Sequence, residues 1–260
     1  MSEFIDVCEQ AARAGSEQLL RWRGSFATRE KGPKDLVTDA DLASQDAIRR
    51  VVEAAYPDHR FLGEESDDTS DWASFSRGFC WVVDPLDGTT NYVHDLPAFS
   101  VSVALVHDGE PVAGVVLDPM LNECYRAVRG EGAELNGEPI RVSDCQEVSG
   151  ALVAASFTAD VRRDSEEVDR FVEMLYHCQA VRRLGSAALN LCYTGAGRLD
   201  GYWAASVKSW DVAAGVLIVR EAGGQVTNLE GGRFDFGRPR LLAASTRPLH
   251  QQILSILSRA

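Results

Sequence analysis

Three apolar runs between Ala98 and Arg141 constrain the fold of this chain more than any other feature. FSVSVALV, VAGVVLD and ECYRAV are each about the length of a strand, and turn dipeptides divide the region at Asp108-Gly109, Asp118-Pro119 and Asn136-Gly137. Runs punctuated in this way fold as a meander of mostly antiparallel strands. Upstream, residues 3 to 23 carry a helical period. Phe4, Cys8, Ala11, Ala12, Leu19 and Trp22 fall near one face, and Gly24 stops the helix. A second helix is expected from about Asp39 to Ala55, with Ile48, Val51, Val52 and Ala55 as its stripe and Pro57 after its end. Residues 79 to 84 read as a buried strand.

Past Gly150 the pattern changes. ALVAAS reads as a strand, residues 163 to 177 as a helix, AVRRLG as a strand, SAALNLCYTGAG as a helix and LDGYWA as a strand. The helix WDVAAGVLIVREAGG, strands around Val226 and Leu242, and a helix near 247 to 258 complete the chain. Strands alternating with helices predict a layered α/β arrangement. We therefore expect an α+β half over 1–150, an α/β half over 151–260, and a crevice between them.

At 260 residues the chain can form one large domain or two modest ones. The net charge of −13 argues against general binding to nucleic acid or anionic membranes, which a basic surface would favour. A small anionic substrate stays compatible with it if bound cations reverse the local sign. No run approaches the roughly 20 apolar residues of a membrane span, and MSEFIDVCEQ lacks the pattern of a signal peptide, so the expected location is cytoplasmic. Cys8, Cys80, Cys124, Cys145, Cys178 and Cys192 are scattered, as in a protein of reduced, partly core-filling thiols without a disulfide frame or zinc site.

Carboxylates recur where elements end. WVVDPLDGTTNY (81–92) closes an apolar strand with Asp84 and Asp87; Glu64 and Glu65 follow RFLG; Asp41 lies early in the second helix; Asp211 follows Trp210 at the head of an apolar helix. All-oxygen sites of this kind suit Mg²⁺ or Mn²⁺. Across the Pro85 bend Asp84 and Asp87 can share a pair of cations, and Leu86 can add its carbonyl. Gly88-Thr89-Thr90 then opens a turn whose backbone N–H groups could cradle phosphate. Each piece also has a plainer reading. Asp-Pro-Leu-Asp-Gly is a good turn, Thr38 to Asp41 fits a capping box, Asp211 can complement a helix dipole, and Gly63-Glu64-Glu65 can be a solvated loop.

Taken together these motifs resemble the inositol monophosphatase family, within the metal-dependent, lithium-sensitive phosphatase superfamily. WVVDPLDGTTNY is similar to its first signature and WDVAAGVLIVREAGG to its second; KGPKDLVTDAD and FLGEES match two upstream elements in order. The resemblance implies a layered αβαβα sandwich and a homodimer. It also implies that Glu64, Asp84 and the Leu86 carbonyl bind a first Mg²⁺, that Asp84, Asp87 and Asp211 bind a second, and that a third ion is held loosely near Glu64. Thr89, oriented by Asp41, would position and deprotonate the attacking water; Gly88 and Thr89 amides, with Lys31, would hold phosphate. RRLGSAALN resembles a sugar-facing loop, which makes Arg183, Gly185 and Ser186 substrate candidates, although Arg183 could equally pair with an acid or sit at a subunit interface.

The chain departs from the pattern at Ala204, where inositol-specific members carry a Glu seven residues before the second-signature Asp. Alanine accepts no hydrogen bond from a polyol, so inositol selectivity is expected to weaken unless Ala205, Ser206 or a water compensates. The expected function is Mg²⁺-dependent hydrolysis of a small phosphate monoester such as an inositol monophosphate or histidinol phosphate. Fructose 1,6-bisphosphate, 3′-phosphoadenosine 5′-phosphate and NADP are alternative substrates, and a regulatory or scaffolding protein is the alternative class.

Overall fold

The computed structural model describes residues 2–32, 35–66, 72, 77–158 and 161–259. Helices α1 (Ser2–Trp22) and α2 (Asp39–Ala55) pack on each other and on one face of a seven-stranded sheet. Ile5, Cys8, Ala11, Ala12 and Leu19 of α1 are buried with Ile48 and Val52 of α2, as the helical period predicts; Ala55 lies outside this stripe and is exposed. A hairpin of β1 (Thr28–Gly32) and β2 (Asp35–Thr38) joins the two helices. Its polar sequences, TREKG and DLVT, carry no clear apolar alternation, so periodicity did not announce it.

The large sheet runs in the order β3 (Arg60–Gly63), β4 (Phe79–Asp87), β5 (Ser100–His107), β6 (Glu110–Asp118), β7 (Glu123–Val128), β8 (Gly132–Leu135), β9 (Glu138–Pro139). The β3–β4 pair is parallel and every other pair antiparallel, which is the expected meander with one parallel strand added at its edge. β4 extends beyond the expected 79–84. It continues through a bulge between Asp84 and Asp87, where Asp84 lies opposite Ser102 and Asp87 opposite Ser100.

The second sheet has the order β11 (Ala180–Arg182), β10 (Leu152–Ser156), β12 (Gly201–Ala204), β14 (Leu241–Ala244), β13 (Gln225–Thr227), with a parallel β11–β10–β12 core and antiparallel outer pairs. The short helix α3 (Thr89–Val93) follows β4. Helices α4 (Glu166–His177) and α7 (Arg247–Leu257) cover the outer face of this sheet, and α5 (Ala187–Gly195) and α6 (Ser209–Glu221) fill the space between the two sheets. One continuous core joins Val82, Ala104 and Val116 of the first sheet to Val212, Val216 and Leu217 of α6 and to Tyr202 and Ala243 of the second sheet. The result is an αβαβα sandwich. α6 is apolar on all sides because both of its faces are buried. Among the described residues no helix is long and apolar enough to cross a membrane.

Candidate functional site

The site forms where the ends of β3 and β4 meet the start of α6. The bulge in β4 presents Asp84 and Asp87, both buried, at 2% and 8% exposure. The turn is fastened from behind: the Ser44 hydroxyl of α2 donates to the Pro85 carbonyl at 2.9 Å, and the Leu86 amide donates to Asp84 Oδ1 at 3.0 Å. Glu64 enters from the end of β3, where its amide donates to the Val83 carbonyl at 3.1 Å. The buried Gln45 side chain accepts from the Glu65 amide at 2.9 Å and so holds the same segment. Asp211 arrives from the first turn of α6, where its Oδ2 accepts from the Lys208 amide at 2.8 Å.

The electrostatics report the crowding. Burial, followed by the charges of Glu64, Asp87 and Asp211, pushes Asp84 well above the usual carboxylate range. Burial, with the charges of Asp87 and Glu64, does the same to Asp211. Asp87 is raised to about 6 by burial, against the lowering effect of hydrogen bonds from Ser186, Ala188 and Ala187. The Ser186 hydroxyl and the Ala188 amide donate to Oδ2 at 2.5 and 2.7 Å, and the Ala187 amide to Oδ1 at 3.2 Å. A carboxylate of the first sheet therefore caps the N-terminus of α5, a contact that nothing in the sequence spacing indicated.

All four acids offer hard oxygen donors, which fits Mg²⁺ or Mn²⁺ and not a thiophilic metal. The crowded, mutually repelling carboxylates of buried Asp84 and Asp87 and half-buried Asp211 are the kind of cluster that a divalent cation relieves. Among the described residues, no three or more His, Cys, Asp or Glu side chains already converge into a metal cage. Asp87 is directed by its bonds to α5 and Asp211 by its bond to the Lys208 amide, so each carboxylate is turned in part towards a helix end.

Gly88 and Thr89 begin α3. Gly88 has φ +98°, and a Cβ there would lie 3.0 Å from the Ala98 carbonyl oxygen, so glycine is required on both counts. Thr89 is half-buried. Its Oγ1 lies 3.1 Å from the Leu86 carbonyl and 3.4 Å from Asp41 Oδ1. Asp41 is fully buried, and its Oδ2 accepts from the Thr38 amide at 2.9 Å and the Thr38 hydroxyl at 2.5 Å. The capping box is therefore present, and Asp41 Oδ1 faces the Thr89 hydroxyl; the plain and the functional readings of Asp41 describe two oxygens of one group.

The loop before α5 is tied to the first signature through Asn91, whose Nδ2 donates to the Ala98 and Leu184 carbonyls at 2.7 and 2.8 Å. Gly185 sits against Asn91 with φ +90°, a conformation that leaves no room for a side chain. Ser44, Gln45 and Asn91 are site-building residues that sequence reasoning missed. Their partners are distant in the chain, and only Asn91 lay inside a motif.

The remaining candidates divide. Ser186 is in the site, between Asp87 and Ser100. Arg183 is exposed at the rim, its guanidinium 4.2 Å above the Phe157 ring and bonded to the Phe157 carbonyl at 3.2 Å. Ala204 is fully buried at the end of β12, packed in the shared core and lying between Ser156 and Leu241. It offers no surface to a ligand. Lys31 lies on β1, and its side chain is outside the described residues. His94 is exposed just after α3, as a loop residue without a part in the site.

A model described as the inositol monophosphatase family matches residues 1–260. The chain is 41% identical over 251 residues to the Nus factor SuhB of Pasteurella multocida, covering 95% of this chain and 93% of the relative. It is 38% identical over 261 residues to an inositol-1-monophosphatase of Synechocystis, covering 99% and 90%. Among solved structures, the extragenic suppressor protein suhB of Bartonella henselae superposes with a TM-score of 0.91 at 34% identity, over 99% of both chains. The inositol monophosphatase of Anabaena superposes with a TM-score of 0.88 at 34% identity, over 100% of this chain and 96% of that one.

Proposed function

Because the chain belongs to the inositol monophosphatase family, we propose that it is a Mg²⁺-dependent phosphatase that hydrolyses a small phosphate monoester. The observation that carries this reading is the meeting of Glu64, Asp84, Asp87 and Asp211, from three element ends, within mutual electrostatic reach. Glu64, Asp84 and the Leu86 carbonyl would hold one ion, Asp84, Asp87 and Asp211 a second, and the neighbourhood of Glu64 a looser third. When bound, Mg²⁺ supplies positive charge that acidifies water at neutral pH and neutralises the leaving oxygen. The halves 1–150 and 151–260 each contribute ligands, and the substrate lies in the crevice between them.

The protein's own groups have distinct tasks. The Thr89 hydroxyl can donate to Asp41 Oδ1 while its lone pair accepts a hydrogen bond from the attacking water, and as the water's proton passes to Thr89 Oγ1 the Thr89 proton passes to Asp41. Asp41 is held by Thr38 and keeps that hydroxyl oriented. The Gly88 and Thr89 amides, at the positive end of the turn, hold phosphate oxygens together with Lys31. Arg183 and Gly185 border the leaving group, and Ser186, fully buried, acts through its bond to Asp87. Replacing Thr89→Ala is expected to lower kcat about a hundredfold with a smaller change in KM, while Thr89→Ser retains most activity. A raised KM at unchanged kcat would limit Thr89 to binding.

The test of the function is phosphate release from inositol 1-phosphate, histidinol phosphate, fructose 1,6-bisphosphate, 3′-phosphoadenosine 5′-phosphate and NADP, each with Mg²⁺ and with a chelator. Release from at least one, abolished by the chelator and inhibited by millimolar Li⁺, is expected. No release from folded, Mg²⁺-replete protein would overturn the reading. A second reading, a protein-binding role beside catalysis, is favoured by relatives named as Nus factors and by the exposed apolar side chains Val172, Leu175 and Tyr176 on α4. Co-precipitation of a cellular partner that survives Asp211→Asn and is lost on Tyr176→Asp would support it; loss of the partner with Asp211→Asn would tie that binding to the metal site.

A further inference from the structure

The parallel strands β11, β10 and β12 of the second sheet end side by side at the crevice. β11 exits through Arg183 and Gly185 to Ser186, which bonds Asp87, and β12 exits through Ala205 to α6 and Asp211. β10 lies between them, and its last residue is Ser156. The Ser156 carbonyl accepts from the Ala205 amide at 3.3 Å, and the next residue, Phe157, holds Arg183 by its ring and its carbonyl. Carboxyl ends of parallel strands are where sheets of this kind bind ligands. Strand alternation fixes the direction of the Ser156 side chain. Ala154 pairs with Tyr202, and Ser156 with Ala204. Ala154, Tyr202 and Ala204 lie in the core between the sheets, whereas Ala155 and Trp203 lie in the outer core. Ser156 therefore shares the inner face, half-buried, one pleat beyond Tyr202.

Two other hydroxyls near these strand ends are committed to carboxylates, Ser186 to Asp87 and Ser206 to Glu167. Ser156 instead faces a phenol. Tyr202 and Asn190 of α5 are fully buried, and the phenol oxygen and both amide atoms of Asn190 have no hydrogen-bond partner among the described residues. Buried polar atoms are seldom left unpaired, and here they adjoin a half-buried hydroxyl at the crevice. Burial raises the Tyr202 pKa, with Ser156 and Asn190 as the polar side chains beside it, so the phenol keeps its proton and acts as a donor.

We propose that Ser156 is a specificity-determining residue that hydrogen-bonds a hydroxyl on the alcohol part of the substrate, and that Tyr202, backed by Asn190, is the positioning residue that holds it for that contact. The donors run outward in one direction. Asn190 Nδ2 donates to the Tyr202 oxygen, the Tyr202 hydroxyl donates to Ser156 Oγ, and the Ser156 hydroxyl donates to the substrate oxygen. This rests on the phosphatase reading above and narrows its substrate class to esters whose alcohol carries a further hydroxyl. A neutral chain of this kind discriminates because an alcohol without that hydroxyl leaves the Ser156 donor without its acceptor.

Matched esters test it: inositol 1-phosphate against cyclohexyl phosphate, and glycerol 1-phosphate against propyl phosphate, each pair differing only in the hydroxyls of the alcohol. For wild type, kcat/KM is expected to favour the hydroxylated member of at least one pair, chiefly through KM. Ser156→Ala should lower that preference about tenfold, and Ser156→Thr, which keeps the hydroxyl, should retain most of it. Tyr202→Phe should lower it about threefold although Ser156 is still present. A wild type without the preference, or a preference unchanged by Ser156→Ala in both pairs, overturns the inference and leaves the phosphatase reading standing. Release from another ester of the panel but from none of these four does the same. Absence of Mg²⁺-dependent release from every ester overturns both. A lower melting temperature of Tyr202→Phe with an unchanged preference assigns the phenol to packing and overturns its positioning role.

Discussion

Asp211→Asn is expected to raise the melting temperature of the metal-free protein at pH 7.5 and to lower Mg²⁺-dependent phosphate release by about two to three orders of magnitude. The two effects have one cause. Folding brings Asp211 beside Asp87 and Glu64, and its pKa rises with burial and with their charges. An acid whose pKa is raised by folding binds its proton more tightly in the native state than in the unfolded chain. Stability is then fullest below the unfolded pKa of about 4 and falls as pH climbs through the folded one. Asp87 titrates at about 6, and Asp84 and Asp211 are raised well above their ordinary value. The metal-free protein should therefore lose stability between about pH 4 and pH 6 and beyond. Asparagine removes one charge and keeps an oxygen for the Lys208 amide, so the metal-free mutant melts above wild type at pH 7.5. Thermal melts in a chelator at pH 4.5 and 7.5 check it: the gap between mutant and wild type opens with pH. With Mg²⁺ the order should reverse, since wild type gains binding energy that the mutant has lost. A mutant that melts with wild type at both pH values would remove Asp211 from the cluster.

Asp87→Ala is expected to behave differently in the metal-free state, losing stability as well as turnover. Both oxygens of Asp87 are engaged by Ser186, Ala187 and Ala188, so deletion leaves a buried hydroxyl and two helix-start amides without their acceptor. Each such group costs about 1–3 kcal/mol when orphaned, and relief of carboxylate repulsion offsets only part of that. A net loss of about 2 kcal/mol, read from the urea midpoint in chelator, is the expected result. An unchanged midpoint would mean that α5 does not depend on its cap from the first sheet. The contrast between the two acids is the useful outcome, because as metal ligands alone they would behave alike.

That contrast also shows where the sequence stops being informative. The meander, α1, α2 and the two buried helices α5 and α6 were legible because periodicity and turn residues are local signals. The acids of the site were legible because they interrupt apolar runs at element ends. The β1–β2 hairpin was not, since TREKG and DLVT have neither clear alternation nor bulk. Nor were the long-range fasteners: Ser44 to Pro85, Gln45 to Glu65, Asn91 to Leu184 and Asp87 to α5 join residues whose separation in the chain carries no period. Ala204 is the intermediate case. Its identity was visible and its enclosure was not.

The most direct test of the central claim is a Mg²⁺ titration of metal-free wild-type protein, following melting temperature and phosphate release from one accepted ester over the same concentrations. A single cluster of carboxylates that both holds the ion and serves the reaction predicts that stability and activity rise together from near zero activity, and that Asp211→Asn flattens both curves. Phosphate release that is full before Mg²⁺ is added, or a melting temperature indifferent to Mg²⁺ while activity rises, would contradict it.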